Sequence, residues 1–150
     1  MEKRMSLRDL LKTGQIEEYE SDPEQIKNEI ELARQDLAAA KKMLSLQSRE
    51  LWGWAHNAAY NAMLQAGRAL MYSKGYRPRG QEQHVSVIAF VLDVCEKKFP
   101  QEVLQAFSKA RMRRHESVYD RAGSISPSQA RNLVEKAELF VPTAAKLLGL

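Results

Sequence analysis

The stretch "SDPEQIKNEIELARQDLAAAKKML", residues 21–44, decides the fold. Ile26, Ile30, Ala33, Leu37, Ala40 and Leu44 recur at steps of four, three, four, three and four, which is one apolar stripe along an α-helix. The Lys, Arg, Asp and Glu residues between them fall on the opposite, watery side. The opening words "SDPE" supply a start signal: Ser21 as cap, Pro23 tolerated in the first turn and Glu24 completing a capping box.

The same signals repeat on the C-terminal side. A second helix is predicted from about Arg49 to Lys74, stopped by Gly75. Ala55, Ala59, Ala62, Ala66 and Leu70 line one side of it, and such small side chains let neighbouring helices come close. That marks it as the central helix. "GYRPRGQEQH" reads as the principal loop, and "HVSVIAFVLDVCEKKF" as a third, buried helix, with a strand over "VSVIAFVL" as the competing assignment. Pro100 opens a fourth helix. Ser126, Pro127 and Gln129 form the cap, first position and capping-box partner of a last one, with Leu133, Ala137, Phe140 and Leu147 or Leu148 facing inward and a kink near Pro142. The predicted fold is all-α, an antiparallel up-and-down bundle of four or five helices spanning residues 21–150. Residues 1–20 read as an N-terminal arm with a short helix capped by Ser6 and Asp9 and ended by Gly14, and "EEYESDP" as an acidic linker.

Composition narrows the function classes. At 150 residues the chain is the size of one domain with a real core, and 44% hydrophobic with 28% charged residues is ordinary for a soluble protein. The longest apolar run, "VIAFVL", is too short to span a bilayer, and the N-terminus has no signal-peptide core, so a cytoplasmic location is expected. One cysteine, Cys95, cannot make an internal disulfide and reads as a small buried hydrophobe. His56, His84 and His115 are too far apart in sequence for a zinc pattern, so neither metal nor other cofactor is expected. The net charge of +4 is compatible with an anionic partner, but an electrostatic footprint also needs clustering.

Clustering occurs in "ARMRRHESVYD", residues 110–120. Arginine offers a planar fork matched to phosphate, and histidine a proton donor or acceptor near neutral pH. If the fourth helix continues to Tyr119, then Phe107, Arg111, Arg114 and Val118 share a face, so that the apolar stripe turns cationic, while Arg113 points elsewhere. Arg111, Arg114 and His115 are the candidate anion-binding residues, with Tyr119 and His84 as secondary candidates. If the protein is a catalyst, His115 and Arg111 are the residues that would act. A solvated basic helix face paired locally with Glu116 and Asp120 is the structural alternative. Trp52 and Trp54 lie on opposite sides of one helix, so at most one faces the core and the other is a candidate interface anchor.

The segment Ala58 to His84, "AAYNAMLQAGRALMYSKGYRPRGQEQH", resembles the hallmark of small HEPN (higher eukaryotes and prokaryotes nucleotide-binding) proteins. Ala59, Tyr60, Ala62 and Met63 match the start of its helical word, and Arg68, Ala69 and Leu70 the rest. Lys74-Gly75 match its turn, Arg77-Pro78 its loop and His84 its histidine, while Asn61 and Ala58 depart from it. Arg114 with Tyr119-Asp120 resembles the R-x4-Y-[DE] ending of the fourth helix. The resemblance extends over residues 25–148. It implies a bundle that dimerises and binds nucleotide or RNA, in a toxin–antitoxin or defence setting with a nucleotidyltransferase-like antitoxin as partner. Ribonuclease relatives use R-x(4–6)-H, without metal. Here only three residues separate Arg111 from His115, so that motif is not matched and enzymatic activity stays open. Some family toxins are silenced by nucleotidylation of a tyrosine just after the histidine; Tyr119 lies four residues beyond His115. Three functions therefore stand: phosphate binding by the helix-four patch, a metal-independent endoribonuclease, and a structural homodimeric interaction module.

Overall fold

The computed structural model describes residues 4–115 and 125–150, leaving out the side chains of Arg114 and His115. Its long elements are α-helices: α1 (Leu7–Lys12), α2 (Pro23–Ser45), α3 (Trp52–Ser73), α4 (Gln83–Val94), α5 (Gln101–His115) and α6 (Pro127–Leu147). Two short strands, β1 (Ile16–Glu18) and β2 (Tyr76–Pro78), pair antiparallel. The all-α bundle predicted from the apolar stripes is the fold observed, with α3 at its centre in contact with α2, α4, α5 and α6.

The centre of the bundle follows from residue size. Ala55, Ala59, Ala62, Ala66 and Ala69 on α3 are all fully buried. At Gly67 the approach is closer still: an added Cβ would lie 3.0 Å from Val87 Cγ1 and 3.2 Å from Val91 Cγ2 on α4. Larger side chains fill the wider gaps. Phe99 stacks on Phe140 at 4.4 Å between ring centroids, Phe140 meets Phe107 at 5.2 Å, and Phe107 meets Tyr60 at 6.3 Å, so one aromatic row ties the α5 and α6 side of the bundle to α3. α3 ends where Gly75 takes up a φ of +89°, a conformation that favours glycine.

Local capping is close to the sequence pattern, with one shift. α6 has the predicted box, in which Ser126 accepts from the Gln129 amide at 3.1 Å and Gln129 accepts from the Ser126 amide at 2.9 Å. On α2 the cap is Asp22, which accepts from the Glu24 amide at 2.9 Å. Ser21 instead donates its hydroxyl to the Tyr72 carbonyl at 3.2 Å, fastening the start of α2 to the end of α3. The reason is register: Pro23 occupies the first helical position, which makes its immediate neighbour the cap. The apolar run in α4 is helical, with Val87, Phe90 and Val91 buried, so the strand alternative is not adopted. α6 continues past Pro142, which is exposed, and Leu148 packs against the core while Leu147 is 43% exposed.

The N-terminal segment differs most from its sequence pattern. Leu10 and Ile16 are buried in the core, and the Leu7 amide donates to Asp93 at 2.8 Å, so the arm is docked on α4. Residues 17 and 18, expected in a linker, belong to β1. Residues 76–78, expected in a loop, form β2, with Glu17 opposite Arg77. Burying Leu10 and Ile16 contributes about 1.5–3 kcal/mol each by removing their side chains from water. Among the described residues no helix is long and apolar enough to cross a membrane.

Candidate functional site

α5 carries the cationic cluster, and its packing decides where each charge goes. Val103, Leu104, Phe107 and Ala110 form its buried row. One turn beyond Ala110 the inward direction falls between positions 113 and 114, because a helix repeats every 3.6 residues. Arg113 is accordingly half-buried, at the end of the bundle where α3 begins, and Arg111 is exposed on the side facing α4. Arg113 thus points away from Arg111, as the spacing predicts, while Arg111, expected on the inner face with Phe107, is exposed. Helical spacing gives the angle between them correctly, but the α4 side of α5 is an open groove and the α3 side is filled.

That groove is concave, with a volume of about 620 Å³. Among its described lining residues the cations are Arg4, Lys109 and Arg111, and there is no Asp or Glu. Arg4 reaches it from the N-terminal segment and is shared with Glu96 at 3.3 Å. Neither Lys109 nor Arg111 is ion-paired with a carboxylate among the described residues. An anion arriving there displaces no carboxylate of the described residues from these two groups.

Behind the cations lies a second feature that spacing alone did not single out. His56 on α3 is fully buried, and neither ring nitrogen has a hydrogen-bond partner among the described residues. Burial, and then the positive charge of Arg113, push its pKa down to about 4. The ring is therefore neutral at physiological pH and adds no charge to the cluster. Its legible signal was its place one turn before Tyr60 on the alanine-lined helix.

The other candidates divide by position. Arg114 and His115 occupy the last positions of α5, one turn after Ala110 and Arg111 respectively. Tyr119, and with it the Glu116 and Asp120 of the structural alternative, lies outside the described residues. His84, half-buried at the start of α4, sets its ring edge-on to Tyr60 with centroids 5.8 Å apart. It belongs to the aromatic packing around Tyr60 and does not line the groove. Trp54 is 62% exposed and Trp52 is half-buried, as their opposite helical positions require.

Some basic residues of the sequence word are spoken for. Arg68 pairs with Glu29 at 3.4 Å across the α2–α3 contact, both of them mostly buried. Burial pushes the Glu29 carboxyl up, and Arg68 opposes that rise. Arg77 pairs with Glu17 at 2.6 Å and lies over the Tyr19 ring at 4.4 Å. Burial pushes the Cys95 thiol up, away from the reactive thiolate.

Comparison with known proteins bears on the whole bundle. The family model for the HEPN domain matches residues 26–147, from the first turn of α2 to the end of α6. No curated protein matches the chain.

Proposed function

The chain belongs to the HEPN domain family, whose members point to nucleotide- or RNA-related work, and from that premise we propose that it binds the phosphate of a nucleotide or RNA at the cationic end of α5. The observation that supports this is the pair Lys109 and Arg111. Both face a concave surface, no carboxylate among the described residues pairs with either, and none lines the groove. Arg111 serves as the bidentate fork and Lys109 as a point charge. Arg114 and His115 extend the same charge along the last turn of the helix, and Tyr119 and His84 are the secondary positions of the proposal. The homodimer, the nucleotidyltransferase-like antitoxin and the toxin–antitoxin or defence setting belong to the same proposal, on family grounds alone.

The test uses a fluorescein-labelled single-stranded oligonucleotide of RNA, titrated with the protein over a range of salt. With two or three phosphates contacted, log K falls with log salt at a slope of about −1.4 to −2, given roughly −0.7 per contact on single strands. The double substitution Lys109→Glu/Arg111→Glu weakens binding by more than about tenfold, equivalent to about 1.4 kcal/mol, with an unchanged melting curve. Binding that ignores salt, or that survives the double reversal, overturns the proposal.

A further inference from the structure

The α4–α5 groove extends beyond its cations, and the rest of it has a different character. Its α4 wall presents Val85, Ile88, Ala89 and Leu92, at steps i, i+3, i+4 and i+7. Across from them, α5 contributes Met112, whose apolar side chain is 71% exposed. Met5 joins from the N-terminal segment. An aliphatic and thioether floor therefore lies beside positive charges, with no carboxylate among its described lining residues: Met112 is exposed, Val85, Ala89 and Leu92 are half-buried, and Ile88 is buried beneath them.

Three properties of that floor narrow its occupant. Its two long walls are helices, whose backbone groups are satisfied internally, so no strand edge is on offer for an extended peptide. Among its described lining residues Gln105 and Ser108 are the only uncharged polar side chains, too few to orient a small ligand by convergent hydrogen bonds. Among the described residues no aromatic ring lines it, so they give successive bases of a single strand nothing to stack on. What does fit is a helix whose apolar stripe has the spacing of the α4 wall and whose flanks are acidic. The eight residues from Val85 to Leu92 make a wall about 10 Å long, or two turns. Exposed methionine suits such a contact because the flexible side chain repacks around its guest.

We propose that the groove is a docking site for an acidic amphipathic helix of a partner protein, its apolar stripe seated on Val85, Ile88, Ala89 and Leu92 and its carboxylates meeting Arg4, Lys109 and Arg111. Docking uses two of the cations assigned to phosphate, so a docked helix excludes phosphate from them. The inference does not depend on phosphate binding, and substitutions in the apolar floor separate the two.

The probe is a designed fourteen-residue peptide with Leu and Met at i, i+3, i+4 and i+7 and Glu on its flanks, beside a peptide of identical composition with the spacing scrambled. The patterned peptide binds at least about fivefold more tightly than the scrambled one, a margin of the size that seating one or two buried methylenes gives. Ala89→Gln/Met112→Gln, neutral changes at half-buried and exposed helix positions, reduces peptide binding by about the same factor and leaves RNA binding unchanged. Four results overturn the proposal: no binding of the patterned peptide, equal binding of the scrambled one, indifference to the double substitution, or a double substitution that removes RNA binding. The last outcome hands the floor to nucleic acid.

Discussion

Two regions of this molecule hold arginines at loop or helix ends, and they put them to opposite uses. At the β1–β2 strand pair, Glu17 takes both Arg77 at 2.6 Å and Arg79 at 3.7 Å, and the Tyr19 ring lies under Arg77. At the end of α5, Lys109 and Arg111 have no carboxylate partner among the described residues and line a groove. Positive charge alone does not distinguish the two. The difference lies in whether the fold supplies an anion, and in whether the surface beside the cation is concave. A cation already answered by its own chain gains little from a visiting phosphate, whereas an unanswered one gains the whole charge-assisted bond.

The largest expected effect concerns what lies beneath the α5 end. His56 is buried and neutral there, held near pKa 4 by burial and by Arg113, with Tyr60 one turn along the same helix. In the unfolded chain an imidazole titrates near 6.5, so between those two values the unfolded state binds more protons and stability rises with pH. Acidification from about pH 7 to pH 4 therefore removes on the order of 3 kcal/mol through this group. Urea melts at a series of pH values read this directly, and His56→Leu flattens the curve across that window. Equal pH dependence in the two proteins would show that the end of α5 does not rest on an uncharged ring.

A smaller effect is expected where a cation is paired inside the bundle. Arg68→Ala leaves the mostly buried Glu29 without its guanidinium, and the carboxyl, already pushed up by burial, answers by taking a proton. Partial neutralisation limits the loss to about 2 kcal/mol, below the 3–5 typical of a fully buried pair. Oligonucleotide binding is unaffected. If Arg68→Ala weakened RNA binding and left urea melts unchanged, the division into structural and available cations would have been drawn in the wrong place.

Why some of this was legible in the sequence and some was not has a physical answer. The α2 stripe and the Ser126–Gln129 box are contacts between residues three or four apart, so the sequence order carries them. The β1–β2 sheet pairs residues some sixty positions apart through strands of three residues, too short for an alternating pattern to declare itself. Ile16 and Leu10 were equally silent, because a lone apolar residue in a short segment does not say that it reaches a core. On α5 the helical angle between Arg111 and Arg113 was readable, but which side is filled depends on α3 and α4. His56 looked unremarkable as one of three scattered histidines, and only its burial gives it weight. The family resemblance, carried by Ala58 to His84, fixed the bundle more firmly than it fixed the site, since Arg68 and Arg77 within that word are ion-paired and His84 packs on Tyr60.

The smallest expected effect is the sharpest test of the comparison. Glu17→Ala frees Arg77 and Arg79 without moving them toward α5, which turns the β1–β2 strand pair into a site of two cations without their carboxylate, neither of which lines the groove beside Arg111. If lacking a partner were sufficient, RNA binding would rise in step with the two charges gained, by up to about tenfold per phosphate-scale contact at low salt. Because the freed guanidinium groups are exposed and the charge is spread into water, screening leaves each worth little, and the expected change in affinity is less than about twofold. The melting temperature scarcely moves, since exposed pairs of this kind contribute little to folding. A large gain in affinity would mean that concavity is dispensable and that the groove beside Arg111 is incidental to phosphate binding.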